Sequence, residues 1–227
     1  AVKGKNKSRL MSFKKGMGQM IDALTRRYAS SIRLSQEVKD LRDVKADMIF
    51  LCVPAYAAAN MLQNTAPALT GYLRNIHYAP MAVAGLVYRK VDFKMLPRGF
   101  GYLIPSNEGK AVLGLLLESN VFAGRSDDDH ILVRVMIGGY VSPSVLQTAH
   151  EAVADVFPVK AGPMRTTLTL WPKAIPQYDQ DYARLKPMIA DELARLPHMR
   201  IVANYWNGIS FNDCVKNAKG NSYLALP

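Results

Sequence analysis

Six apolar residues in a row, Met48 to Val53, stop abruptly at Pro54. This limits what the first part of the chain can become. A run of that length without a polar break is what a strand buried in a layered α/β sheet requires. Pro54 lacks an amide donor and has a fixed φ, so it cannot prolong the ladder and instead suits the first turn of a helix. The segment PAYAAANMLQ then reads as that helix, and a second is expected over Ala66–Ile76. Upstream, Met20, Ile21, Leu24 and Tyr28 recur at helical intervals and predict a helix over Met17–Ala29. Ser31–Leu34 reads as a short strand.

The character of the chain changes near residue 79. Met81–Tyr88, Gly101–Pro105, Ala111–Glu118 and Ile131–Ile137 are short strand candidates separated by Gly, Pro, Asn and Asp turns, the pattern of a mostly antiparallel sheet. An amphipathic helix is expected over Ser142–Val156 and a strand over Met164–Leu170. The chain then runs through a stiff loop at Trp171–Tyr178, a helix over Asp179–Leu196 and a strand over Met199–Tyr205. Asn207-Gly208 leads into a last helix with Asn212 and Asp213 near its beginning. The resulting plan is α/β (α+β). A sheet-rich domain over 79–170 is inserted between α/β pieces at 1–78 and 171–227, which are expected to meet in space.

Bulk properties exclude several classes. With 49% hydrophobic and 21% charged residues the chain reads as globular and soluble. No apolar run reaches the ~20 residues of a spanning helix, and no secretory pattern opens the sequence. Cys52 and Cys214 form no CxxC, and neither they nor the four histidines have metal-ligand spacing. Cys52 reads as a buried small hydrophobe, in a reducing, cytoplasmic setting. The net charge of +11 is uneven, with eight Lys or Arg against Asp22 alone up to Arg27. Such a basic head suits a solvated start or an anionic membrane surface. Nothing beside it resembles a nucleic-acid motif, so no nucleic-acid partner is expected. Gly16-Met-Gly18 fails as a dinucleotide fingerprint: Lys14-Lys15 precede it where a strand is needed, and Ile21 takes the third small position. Its glycines are expected to make the turn before the helix.

Trp171-Pro-Lys-Ala-Ile-Pro-Gln-Tyr178 places a wide aromatic on a segment whose two prolines fix its course. GFGYLIPS at 99–106 supplies two glycines around an aromatic, which permit close approach to the backbone. NGISFNDC at 207–214 is a strand end, a glycine and a helix start, where unpaired amides can donate to an acceptor. With SFKKGMGQMIDAL at 12–24, these segments resemble the oxygen-dependent protoporphyrinogen oxidases of the flavin amine oxidase superfamily.

The resemblance covers nearly the whole chain but only the middle-to-C-terminal part of the family's pattern. It implies FAD as cofactor, with Val38, Trp171, Gly208, Ile209, Ser210 and Phe211 around it. It also implies a porphyrinogen pocket lined by Phe100, Gly101, Leu103, Leu113, Leu116 and Met136. The family's N-terminal Rossmann unit and membrane-docking helical region are expected to be absent from this chain, as is a hairpin usual between Asp40 and Val44. No catalytic acid or base is named, because flavin performs the redox chemistry and the protein supplies position and an apolar pocket. The expected reaction is oxidation of protoporphyrinogen IX to protoporphyrin IX with molecular oxygen as acceptor, in heme synthesis. The alternatives are coproporphyrinogen III, another flavin amine oxidase or desaturase chemistry, and a non-enzymatic module for a hydrophobic ligand or anionic surface. A cytoplasmic protein, peripheral on the membrane, is the expected setting. Oligomeric state stays open, a homodimer included.

Overall fold

The computed structural model describes residues 11–139 and 144–222. In chain order the elements are helix α1 (Gly18–Arg27), strand β1 (Ile49–Leu51), helices α2 (Ala55–Leu62) and α3 (Pro67–Arg74), and strands β2 (Tyr78–Arg89), β3 (Gly101–Leu103) and β4 (Val112–Leu117). There follow the short helix α4 (Glu118–Val121), β5 (His130–Gly138), α5 (Val145–Val156), β6 (Arg165–Pro176), α6 (Gln180–Ala194), β7 (Met199–Ile201) and α7 (Phe211–Ser222). The chain divides into two compact units. One groups residues 11–35 with Ala82–Leu170; the other groups Gln36–Met81 with residues 171–222. The expected plan placed the opening residues with the flanks, whereas their contacts group them with the sheet. No helix among the described residues is long and apolar enough to cross a membrane.

In the sheet unit the order is β3-β4-β5-β2-β6, with β3, β4 and β5 paired antiparallel. Period-two alternation decides its two faces. Ile131, Val133, Val135 and Ile137 of β5 and Ala82, Ala84, Leu86 and Tyr88 of β2 are buried with Leu115 and Leu117 of β4. They pack with Val145, Ala149, Ala152 and Val153, which recur at helical spacing along α5. At one end of the other face, Met11, Ser12, Gly16 and Met17, which lead into α1, line a cavity with Leu116, Leu132 and Arg134.

In the second unit β1 pairs in parallel with β7, Leu51 against Ile201. Ala55, Ala58, Ala59 and Leu62 form the buried stripe of α2, and its small residues let the helix pack closely among Leu69, Leu73, Ile189 and Met199. Asp179 caps α6 by accepting from the Tyr182 amide at 2.8 Å. The Tyr182 hydroxyl donates to the buried Tyr205 carbonyl at 2.6 Å.

Several expectations are corrected. Ser31–Leu34 forms no strand: a 3-10 turn covers Ala29–Ser31, and Leu34 is exposed because no neighbouring strand is there to pair with it. The run at Met48–Val53 gives only a three-residue strand buried on one face. Leu51 points into the core, while Phe50 and Cys52 alternate outward, so Cys52 is exposed rather than buried. The strand at Met199 stops at Ile201, where the chain turns toward Ala203 and Tyr205. Ser142, the expected start of α5, and residues 1–10 of the basic head lie outside the described residues.

The largest correction concerns Trp171–Tyr178. It is not a loop: β6 continues through Trp171 to Pro176. Prolines are tolerated there because β6 is the last strand of the sheet. The Gln177 amide donates inward to the His77 carbonyl at 2.9 Å. Next to that inward amide, the amide position of Pro176 turns toward the open edge, where no donor is needed.

Candidate functional site

Within the sheet unit, the fold brings five of the six expected pocket residues to one face. Pairing of Gly101 with Leu116, Leu103 with Gly114, and Gly114 with Met136 puts Gly101, Leu103, Leu116 and Met136 on the side away from α5. Leu113 joins them only through an irregularity. Leu113 and Leu116 have opposite parity and would point to opposite faces of a regular strand. The register shift between Val112 and Gly114 inserts a bulge, after which both point outward. Leu113 then lies over Gly138, whose added Cβ would stand 3.2 Å from the Leu113 side chain. Phe100, just before β3, lines two neighbouring cavities, one of about 740 Å3 with Leu96, Pro97 and Asn120 and one of about 460 Å3 with Leu116 and Leu132. Asn120 fixes this entry by donating to the Pro97 carbonyl at 2.9 Å.

Within the other unit, two expected segments meet. Tyr178, the last residue of the Trp171 segment, accepts a hydrogen bond from the Gly208 amide at 3.1 Å and donates to the Asn204 carbonyl at 3.0 Å. Its ring lies 4.5 Å from that of Tyr182. Asn207 and Gly208 have φ of 62° and 129°, and an added Cβ at Gly208 would fall 2.6 Å from Asp213 Cβ, so glycine is required at this turn. The Lys173 ammonium lies 4.7 Å from the centre of the Tyr56 ring. Trp171, Ile209 and Phe211 are about half exposed. Val38 lines a cleft of about 590 Å3 with Val53, Ala57 and Met61, without Trp171 or the Gly208 turn in its lining.

The start of α7 is a reciprocal cap. Asp213 Oδ2 accepts from the Ser210 hydroxyl at 2.6 Å and amide at 3.2 Å, and the Asp213 amide donates to Ser210 Oγ at 3.1 Å. These bonds, the hydroxyl first, hold the Asp213 carboxyl below its ordinary value of 3.8. A depressed carboxyl stabilises the fold above its unfolded pKa, and that contribution disappears as pH falls through the folded value. The cap is therefore expected to be intact from about pH 5 upward and lost in acid. Amide exchange at Ser210–Cys214 should accelerate below pH 4 relative to the middle of α6; uniform behaviour of both helices would contradict it. The Ser210 and Gly208 amides are thus already engaged. Those of Ile209, Phe211 and Asn212 make no hydrogen bond among the described residues, and remain donors available to a ligand at this helix start.

Sequence reasoning missed Tyr178, Glu118, Arg125 and Arg134. The first stood inside a recognised segment, but nothing local marked its hydroxyl as the tie to Gly208. The other three come together only through the turn between β4 and β5.

No family model matches the sequence. As a fold, the chain is like a candidate protoporphyrinogen oxidase from Exiguobacterium sp. 255-15, with a TM-score of 0.71 and 16% identity over 97% of this chain and 53% of that one. By sequence it is 25% identical to the chloroplastic protoporphyrinogen oxidase of Nicotiana tabacum over 91% of this chain and 44% of that protein. It is 24% identical to the coproporphyrinogen III oxidase of Propionibacterium freudenreichii over 96% and 45%. The chain is a homologue of proteins named protoporphyrinogen oxidase, which are oxidoreductases, so the resemblance read from its motifs holds. It spans about half the length of the curated relatives it matches.

Proposed function

We propose that the chain is the later part of a flavin-dependent enzyme that oxidises a porphyrinogen, with FAD as cofactor and molecular oxygen as acceptor. The observation that carries this is the match to a protoporphyrinogen oxidase along 91% of the chain. The residues present fit a flavin. Trp171, Ile209 and Phe211 offer exposed apolar surface, and the Ile209 and Phe211 amides offer donors at a helix start. When bound, the flavin supplies the hydride acceptor. The open face at Leu103, Leu113, Leu116 and Met136 gives a flat, nearly apolar macrocycle a surface of its own kind and keeps water from it. No side-chain acid or base is required of these segments.

The test uses the whole protein that carries this chain. Purified, it should be yellow. Protoporphyrinogen IX added without oxygen should bleach the flavin, and air should restore it as porphyrin fluorescence grows. A protein that holds no flavin, or whose flavin ignores every porphyrinogen, would overturn the reading. A colourless protein that binds porphyrin would favour a binding module instead. Trp171→Ala is expected to weaken flavin retention about two- to tenfold in equilibrium dialysis, the loss of one aromatic contact worth ~0.5–1.5 kcal/mol. Coproporphyrinogen III is the second reading, favoured by the Propionibacterium relative. Parallel assays with the two substrates separate them.

A further inference from the structure

The open sheet face is apolar along most of its length and charged at one end. Arg134 stands there on β5, opposite Leu116 of β4, with Leu132 and Met136 two residues to either side. Its Nη2 donates to Glu118 Oε1 at 2.7 Å. Glu118 is buried, whereas half of the Arg134 side chain is exposed. Arg125 lines the same cavity of about 460 Å3, whose other walls include Phe100, Val121 and Phe122. Its Nη2 donates to Ser12 Oγ at 2.8 Å and to the Phe13 carbonyl at 3.2 Å, and its Nε is buried with no acceptor.

Arg134 thus has one carboxylate partner, and Arg125 finds only neutral acceptors among the described residues, so the cavity holds two guanidinium groups and one carboxylate. A cavity with apolar walls and a surplus positive charge is incomplete by itself, because a partly buried charge is favourable when an opposite charge answers it. An anion attached to an apolar body completes it. One of the five N–H donors of Arg134 is spent on Glu118, and the exposed part of the fork remains for that anion.

We propose that this cavity seats a carboxylate of the substrate. Arg134 makes the contact, Arg125 supplies the second positive charge, and Glu118 acts as a positioning residue that holds the Arg134 fork. The proposal rests on the reading of the protein as a porphyrinogen oxidase, since that macrocycle carries propionate carboxylates on a flat apolar ring.

The experiment compares porphyrin as free acid and as methyl ester, titrated by fluorescence onto the whole protein, together with turnover of the corresponding porphyrinogens. Arg134→Met alone would leave the buried Glu118 carboxylate unpaired, so it is combined with Glu118→Gln. The ratio of free-acid to ester affinity should fall about tenfold in this double variant, as expected for one charge-assisted contact. KM for the free acid should rise while kcat and ester binding hold. Arg134→Lys, which keeps the charge without the fork, should lose about threefold, and it decides the matter if circular dichroism shows the double variant unfolded. A variant that weakens acid and ester equally, or neither, overturns the carboxylate seat while leaving the oxidase reading intact. Failure of the unaltered protein to bind or oxidise any porphyrin compound overturns both.

Discussion

Leu115→Ala is expected to lower the stability of the sheet unit by roughly 2–5 kcal/mol, the cost of the lost transfer energy plus the cavity left behind. Leu115 is fully buried, pairs with Val135 across β4 and β5, and belongs to the cluster packed against α5. Since a folded domain is stable by about 5–15 kcal/mol, one such truncation removes a large share. The informative control is Leu113→Ala, two positions away on the same strand. Leu113 is 44% exposed on the opposite face, so its loss should cost under about 1 kcal/mol. Native-state hydrogen exchange of β4 and β5 in the whole protein measures both. A greater loss at Leu113 than at Leu115 would show the register to be wrong, because only the bulge at Val112–Gly114 places these two leucines on different faces.

Gly101→Ala should be nearly as damaging, through space rather than conformation. A Cβ at Gly101 would stand 2.2 Å from the Leu115 carbonyl oxygen and 3.0 Å from Leu116 Cα. Both are backbone atoms of the paired strand, so no side-chain rotation relieves the clash and β3 must part from β4. The expected cost is about 1–3 kcal/mol, with faster amide exchange at Leu103 and Ile104 and a disordered Leu103 side of the pocket. Gly71→Ala supplies the opposite sign. Gly71 lies within α3 with nothing within 4 Å of the added methyl, so alanine there should stabilise by about 0.5–1 kcal/mol. If both substitutions prove neutral, close approach of β3 and β4 is not what holds this edge.

Alternating burial was legible where strands are regular. Ile131, Val133, Val135 and Ile137 alternate with Leu132, Arg134 and Met136, and both faces of β5 follow from that pattern. The start of α7 was legible for a chemical reason: Asn207-Gly208 makes the turn, and Ser210 with Asp213 has the spacing of a reciprocal cap. The bulge was not. Gly114 is its only local trace, and parity counting across it puts Leu113 and Leu116 on opposite faces. The strand through Trp171–Pro176 was hidden because proline ordinarily argues against a strand, and only sheet order reveals which edge lacks a neighbour. Arg134 and Glu118 are sixteen positions apart, and no local pattern pairs them. Their meeting depends on α4 folding back beside β5, a tertiary event.

Pro176 has one more consequence, for how copies of this protein meet. A free sheet edge is a template on which another chain can lay a strand, and growth along it needs consecutive donors. The outward side of β6 lacks one of them at Pro176, beside the inward-pointing Gln177 amide. A second copy approaching there meets a break in the row of donors at Pro176 and cannot zip past it. The segment that presents Trp171 is in this way also a guard against sheet-to-sheet aggregation.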